Sequence, residues 1–157
     1  MSTTVGRISK RKYAATALGG EGSRRSAGRW NSKGTSIVYT SATLSLAALE
    51  TFVHMEIEDV GNMLVSIQAD IPEDVQIDKV EPAQLPSDWR TIPAPLSLAL
   101  IGDKWFTSGS TAVLMVPSAI IPVENNYLLN PLHKDFSRIK IHPYVAFVVD
   151  RRMWKTT

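Results

Sequence analysis

The chain has 157 residues, 44% of them apolar and 20% charged, with a net charge of +2, which fits one domain over residues 1–157 with a core of its own. There is no cysteine, so disulfides, thiolate nucleophiles and cysteine-ligated zinc are excluded, and a reducing cytoplasm is the expected setting. No stretch approaches the roughly 20 apolar residues of a membrane span, and residues 1–22 lack the apolar core of a secretory signal; the expectation is a soluble protein retained in the cell.

Thr3 to Ser9 reads as a short strand carrying Arg7. Residues 19–34 are rich in Gly, Ser and Arg and read as a loop, with Trp30 as an aromatic that anchors it. Ser36 to Tyr39 is a β-branched run suited to a buried strand. Ala42 to His54 is the clearest helix, with Ser41 or Thr40 as its N-cap. Asn62 to Ile71 alternates apolar and polar and reads as a half-buried strand. Residues 72–95 hold five prolines and read as loop and short strand. Leu96 to Phe106 reads as a second helix; Ala112 to Val116, Tyr127 to Leu129 and Ile139 to Val149 read as strands. The sum is a mixed α+β domain.

Charge is uneven along the chain. Residues 1–33 carry +7, residues 34–150 carry −8 and the last seven carry +3. The basic first third is either a solvated face or an anion site for phosphates or nucleic acid.

Among candidate residues, Glu50 stands first. On helix 42–54 its neighbours three and four residues away are Leu46, Ala47, Val53 and His54. A carboxylate on a largely apolar stripe is costly unless paired or reaching water. His54 lies one turn later on the same face. His133 and His142 fall elsewhere without ligand spacing, so no metal site is expected. In Gly28-Arg29-Trp30-Asn31 a guanidinium offers a fork of donors matched to phosphate oxygens, but neither a dinucleotide fingerprint nor a P-loop is present. Ser118 follows an apolar strand without a nucleophile elbow, which suits a ligand-contacting or turn-capping hydroxyl. Asn125-Asn126 and Asn130-Pro131 are turn signals. Glu56-Ile57-Glu58 fits a solvated helix end better than a catalytic glutamate pair.

Taken in order, Gly6-Arg7-Ile8, Gly28-Arg29-Trp30-Asn31, Val38-Tyr39-Thr40-Ser41, Leu46-Ala47-Ala48-Leu49-Glu50, Val116-Pro117-Ser118-Ala119, Glu124-Asn125-Asn126, Leu129-Asn130-Pro131 and Asp150-Arg151 resemble the RES domain, the toxin of RES–Xre toxin–antitoxin systems. Ala27 and Lys134 depart mildly, standing where the family often has glycine and proline. The resemblance implies an ADP-ribosyltransferase-like split β-sheet with flanking helices. It implies an NAD+ pocket with Glu50, Arg29, Ser118 and Tyr39 as catalytic candidates, Arg7 at its floor or rim, and His54 and Asn130 among the NAD+-binding residues. NAD+ would be substrate, with no true cofactor. The implied activity is cleavage of the nicotinamide–ribose bond by hydrolysis or phosphorolysis, with ADP-ribosylation of a protein as the alternative. The implied partner is an Xre-type helix-turn-helix antitoxin; membrane binding and direct nucleic-acid binding are not expected, and a homo-oligomer is left open. The competing class is a nucleic-acid-binding module, supported by the basic N-terminus with Tyr13 and Trp30 interleaved and opposed by the acidic centre of the chain.

Overall fold

The computed structural model describes residues 1–56, 59 and 63–153. Strand β1 (Thr3–Lys10) runs antiparallel to β3 (Leu64–Ile71) along its whole length, from Thr3 opposite Ile71 to Lys10 opposite Leu64. On its other side β1 meets β2 (Val38–Ser41) at one paired position, Gly6 opposite Ser41. Beyond β2 the sheet continues through β6 (Asn125–Leu129) and β5 (Val113–Pro117), both antiparallel, to β4 (Ile77–Lys79), which is parallel to β5. At the opposite edge β7 (Lys140–Ile141) and β8 (Val145–Phe147) both pair with β3. The eight strands therefore form two half-sheets joined at a single pair, which is the split sheet expected from the sequence.

Among the described residues three α-helices flank it: α1 (Glu21–Arg25), α2 (Leu44–Phe52) and α3 (Leu96–Ser108). Helix α2 packs on both β1 and β2 and so bridges the split. Its Ala47 shares a small cluster with Ile8 and Leu64. Helix α3 buries Leu98, Ala99, Gly102 and Trp105, the i, i+1, i+4, i+7 stripe of an amphipathic helix. That stripe meets Trp30, Trp89, Leu114, Val116 and Leu128. A second cluster, with Val5, Val38, Ala69, Val113 and Leu129, ties the two half-sheets together.

Several boundaries move from their expected places. Thr40 and Ser41 do not cap α2; they are the last residues of β2, with hydroxyls donating to the Tyr127 carbonyl at 2.7 Å and to Asn126 Oδ1 at 2.7 Å. The cap is Thr43, whose hydroxyl accepts from the Leu46 amide at 3.1 Å. The helix runs Leu44–Phe52, shorter than 42–54. The second strand is Val38–Ser41 instead of 36–39, and the loop 19–34 contains the short α1. The reading of one strand over 139–149 gives way to β7 and β8, separated around Pro143, which has no N–H to give a ladder. Helix α3 extends to Ser108, and β6 begins at Asn125. Asn62 and the Ile57-Glu58 pair lie outside the described residues.

Candidate active site

The site forms where β2, β5 and β6 end side by side. Register sets it: Ser41 stands opposite Asn126 on β6, and Asn125 stands opposite Pro117 on β5. Ser118, the next residue, therefore emerges beside Asn126. The turn after β2 starts α2, and Glu50 lies in the helix's second half. Its Oε1 accepts two hydrogen bonds, from Ser118 Oγ at 2.7 Å and from Asn126 Nδ2 at 2.7 Å. Among the described residues nothing donates to Oε2, which leaves one carboxylate oxygen for a ligand.

Each donor is itself fixed. Ser118 is 0% exposed, and its oxygen accepts from the amides of Ile120 and Ile121, both at 3.1 Å. A hydroxyl with its proton on Glu50 and both lone pairs occupied is a holder of the carboxylate and a turn cap, not a free nucleophile. The turn-capping role expected as one alternative for Ser118 is present, and the same hydroxyl also donates to Glu50. Asn126 receives Ser41 Oγ on its Oδ1 at 2.7 Å, so Ser41, Asn126, Glu50 and Ser118 form one chain of hydrogen bonds.

Tyr39 and Arg7 form a second group. The Tyr39 hydroxyl donates to Asn31 Oδ1 at 2.6 Å and accepts from the Trp30 amide at 3.1 Å. Burial pushes the phenol above the ordinary tyrosine range, so it remains a neutral donor at physiological pH. Arg7 Nη1 donates to the Tyr39 carbonyl at 2.8 Å. This contact crosses from β1 to β2 where the two strands diverge, and it replaces ladder bonds there. Burial pulls the Arg7 pKa down from the usual arginine value, and its Nε is buried with no partner among the described residues.

Arg29 links the two groups. It is half-buried, with Nη1 donating to the carbonyls of Trp89 at 2.8 Å and Thr91 at 3.2 Å. Burial lowers its pKa, while the negative charge of Glu50 acts to raise it. Arg29 and Glu50 are thus within electrostatic reach, and no ion pair between them forms.

Two expected residues stay outside this cluster. His54 lies past the end of α2 and is exposed; because the helix stops at Phe52, the spacing of four no longer places it on Glu50's face. Asn130 lies at the other end of β6 from Asn126. Its Oδ1 accepts from the Leu132 amide at 2.9 Å, as its turn signal suggests, and it lines a separate depression of about 470 Å³ with Phe106 and His133. Another depression, of about 570 Å³ beside Ile67, His142 and Tyr144, holds none of the candidates.

Asn126, Ser41 and Asn31 join the site although the sequence reading gives them only turn, cap or loop roles. Asn31 is 0% exposed and donates to the carbonyls of Ser23, Ser26 and Ser32 at 3.0–3.1 Å, which folds the loop that presents Arg29. Gly28 belongs to the same fit: a Cβ there would stand 2.6 Å from Asn31 Oδ1 and 2.9 Å from the Tyr39 oxygen. The signal available for each was its place in a matching stretch: Asn31 beside Gly-Arg-Trp, Ser41 after Val-Tyr-Thr and Asn126 after Glu-Asn. We expect Tyr39→Phe to cost about 1–3 kcal/mol of stability, since it strips a buried Asn31 oxygen and the Trp30 amide of their partner. Urea unfolding midpoints measure this, and an unchanged midpoint would contradict the network.

The family model of the RES domain matches residues 4–150. The chain belongs to the RES domain family. Two relatives bracket the kinds of names this RES chain matches. A protein of Yersinia enterocolitica named "Toxin Res" is 39% identical over 149 residues, covering 94% of this chain and 97% of the relative. A Sphingobium protein named "Prs ADP-ribosylating toxin" is 36% identical over 157 residues, covering 98% of each. Among solved structures, the crystal structure of the M. tuberculosis MbcT–MbcA toxin–antitoxin complex contains a chain that superposes with a TM-score of 0.76 at 16% identity, over 94% of this chain and 85% of that one. At that identity the likeness is one of fold, and it agrees with the α+β split sheet. Among the described residues no three His, Asp or Glu side chains are arranged to hold a metal ion, and no helix is long and apolar enough to cross a membrane.

Proposed function

We propose that this RES chain is the toxin of a bacterial toxin–antitoxin pair and cleaves the nicotinamide–ribose bond of NAD+. The observation that carries the reading is Glu50: a carboxylate fixed through one oxygen by Ser118 and Asn126, with the other oxygen receiving no donor among the described residues and Arg29's charge in reach. Breaking the C1′–N bond sends the electron pair to nicotinamide, which leaves neutral and needs no strong acid. Positive charge builds on the ribose ring. A fixed carboxylate stabilises that charge and holds a ribose hydroxyl. Arg29 and Arg7 supply cationic donors for the pyrophosphate, and Tyr39 offers a ring to stack on and a hydroxyl. Water or phosphate then bonds to C1′ and loses its proton. Since the NAD+ pool is intracellular, the working place is the cytoplasm.

The test is incubation of the purified chain with NAD+ and measurement of free nicotinamide, with and without phosphate. No release would sink the proposal; ADP-ribose 1″-phosphate formed only with phosphate would identify phosphorolysis. A second reading, transfer of ADP-ribose to a protein, is favoured by the name of the Sphingobium relative, and label from NAD+ appearing on protein would select it.

Arg29→Ala probes the ground state. Its guanidinium grips the substrate before and during reaction, so NAD+ affinity falls about tenfold or more, together with kcat/KM. Calorimetry showing unchanged affinity would remove Arg29 from the binding site. The partner in this reading is an Xre-type antitoxin that places an acidic group opposite Arg29, and co-expression of the neighbouring gene restores growth.

A further inference from the structure

Residues 86–95 cross from Arg29 to the turn that carries Ser118, and their attachments are specific. Trp89 is buried in the cluster around α3. Arg29 clasps the carbonyls on either side of Arg90, those of Trp89 and Thr91. Further local bonds run from the Trp89 amide to the Pro86 carbonyl at 3.1 Å and from the Thr91 amide to the Asp88 carbonyl at 3.0 Å. The backbone of Arg90 is therefore held on both flanks, which aims its side chain. That side chain donates through Nε to the carbonyl of Ala119 at 2.8 Å.

Ala119 is the first residue of the turn closed by Ser118. The Ser118 oxygen accepts from Ile120 and Ile121, and the Ser118 amide donates to the Glu124 carbonyl at 2.9 Å. A pull on the Ala119 carbonyl acts on the peptide plane between Ala119 and Ile120, and the Ile120 amide in that plane is one of the two that hold the Ser118 oxygen. The hydrogen-bonded path is continuous: Arg29, the 89–91 backbone, Arg90, Ala119, Ser118, Glu50.

We infer that Arg90 is a positioning residue for the reaction, fixing the Ser118 turn and through it the Glu50 carboxylate, and that it does so by its Nε–H bond and not by its charge. This rests on the cleavage proposed above. Its effect falls on turnover, because a misplaced Glu50 loses the developing ribose cation more than it loses the bound substrate. The surface location of Arg90 sets a modest size, about tenfold in kcat.

The substitutions separate bond from charge. Arg90→Gln puts an N–H donor the same number of bonds from the backbone as Nε, without the charge. Arg90→Lys keeps the charge but carries its N–H donors one bond beyond the Nε position. Arg90→Met keeps neither. For nicotinamide release, R90M should lower kcat about tenfold at nearly constant KM, and R90Q should return kcat to within roughly threefold of the unsubstituted chain. Amide hydrogen exchange at Ile120 and Ile121 should quicken several-fold in R90M and not in R90Q. If R90Q is as impaired as R90M while R90K works, the charge acts and the inference is overturned. Unchanged kcat and unchanged exchange in R90M overturn it as well. Should the unsubstituted chain release no nicotinamide, the cleavage proposal fails on its own, and exchange alone decides the link: quickening in R90M supports it, none refutes it.

Discussion

In Glu50→Gln, nicotinamide release should fall about 100- to 1,000-fold while NAD+ still binds, a loss of roughly 2.7–4 kcal/mol of transition-state stabilisation. The substitution is mild for the fold. Glu50 uses Oε1 to accept from Ser118 and Asn126, and glutamine keeps an oxygen in that place. Only the unengaged oxygen becomes an amide, and only the charge is lost. A cation that develops on ribose during bond breaking then faces a neutral dipole, whereas bound NAD+ before reaction loses little. Calorimetry for affinity and single-turnover kinetics for the chemical step separate the two quantities. Near-normal turnover in E50Q would take Glu50 out of the mechanism, and with it the strongest chemical reason for the cleavage reading. Glu50→Ala is a poorer probe, because it also leaves the Ser118 hydroxyl and the Asn126 amide without their acceptor.

The largest stability effect is expected at Gly102. A Cβ there would stand 1.7 Å from the carbonyl oxygen of Trp30, 2.8 Å from its carbon and 3.3 Å from the Trp30 Cβ. Exposed glycine-to-alanine changes inside helices gain about 1 kcal/mol of propensity. Here that gain is outweighed, since backbone and not a flexible side chain stands in the way. Helix α3 and the 28–31 loop have to part, at about 3 kcal/mol, which lowers Tm by roughly 6–12 °C for a domain of this size. The same loop holds Arg29 and Asn31, and Asn31 holds Tyr39. Gly102→Ala should therefore also weaken NAD+ binding from a position that touches no ligand. Thermal unfolding by circular dichroism checks the first effect; a Tm within 2 °C of the unsubstituted chain would mean that α3 does not pack on Trp30 as described.

Much of this arrangement was legible in the sequence by itself. A large aromatic in a polar loop implies an anchor, and Trp30 is 2% exposed between Trp89, Trp105 and Leu98. The run of good helix formers before Glu50 gave α2, the alternation after Met63 gave β3, and the order of short stretches gave the family and its split sheet. These features are local, or are fixed by the order of segments, so they survive without knowledge of contacts. What only the tertiary structure decided is which polar side chains meet. Ser41 reaches Asn126 because β2 and β6 pair in that register; a slip of one residue would put the two side chains on opposite faces. Ser118 reaches Glu50 across 68 positions of sequence. Arg7 reaches the Tyr39 carbonyl because β1 and β2 separate after one paired position. His54 falls away from Glu50 because the helix ended two residues early, and Asn130 stands apart because the turn after β6 used its side chain. Helix propensity fixes that a helix forms, but its last turn and the pairing of strand ends are set by packing between distant segments, which no local pattern encodes.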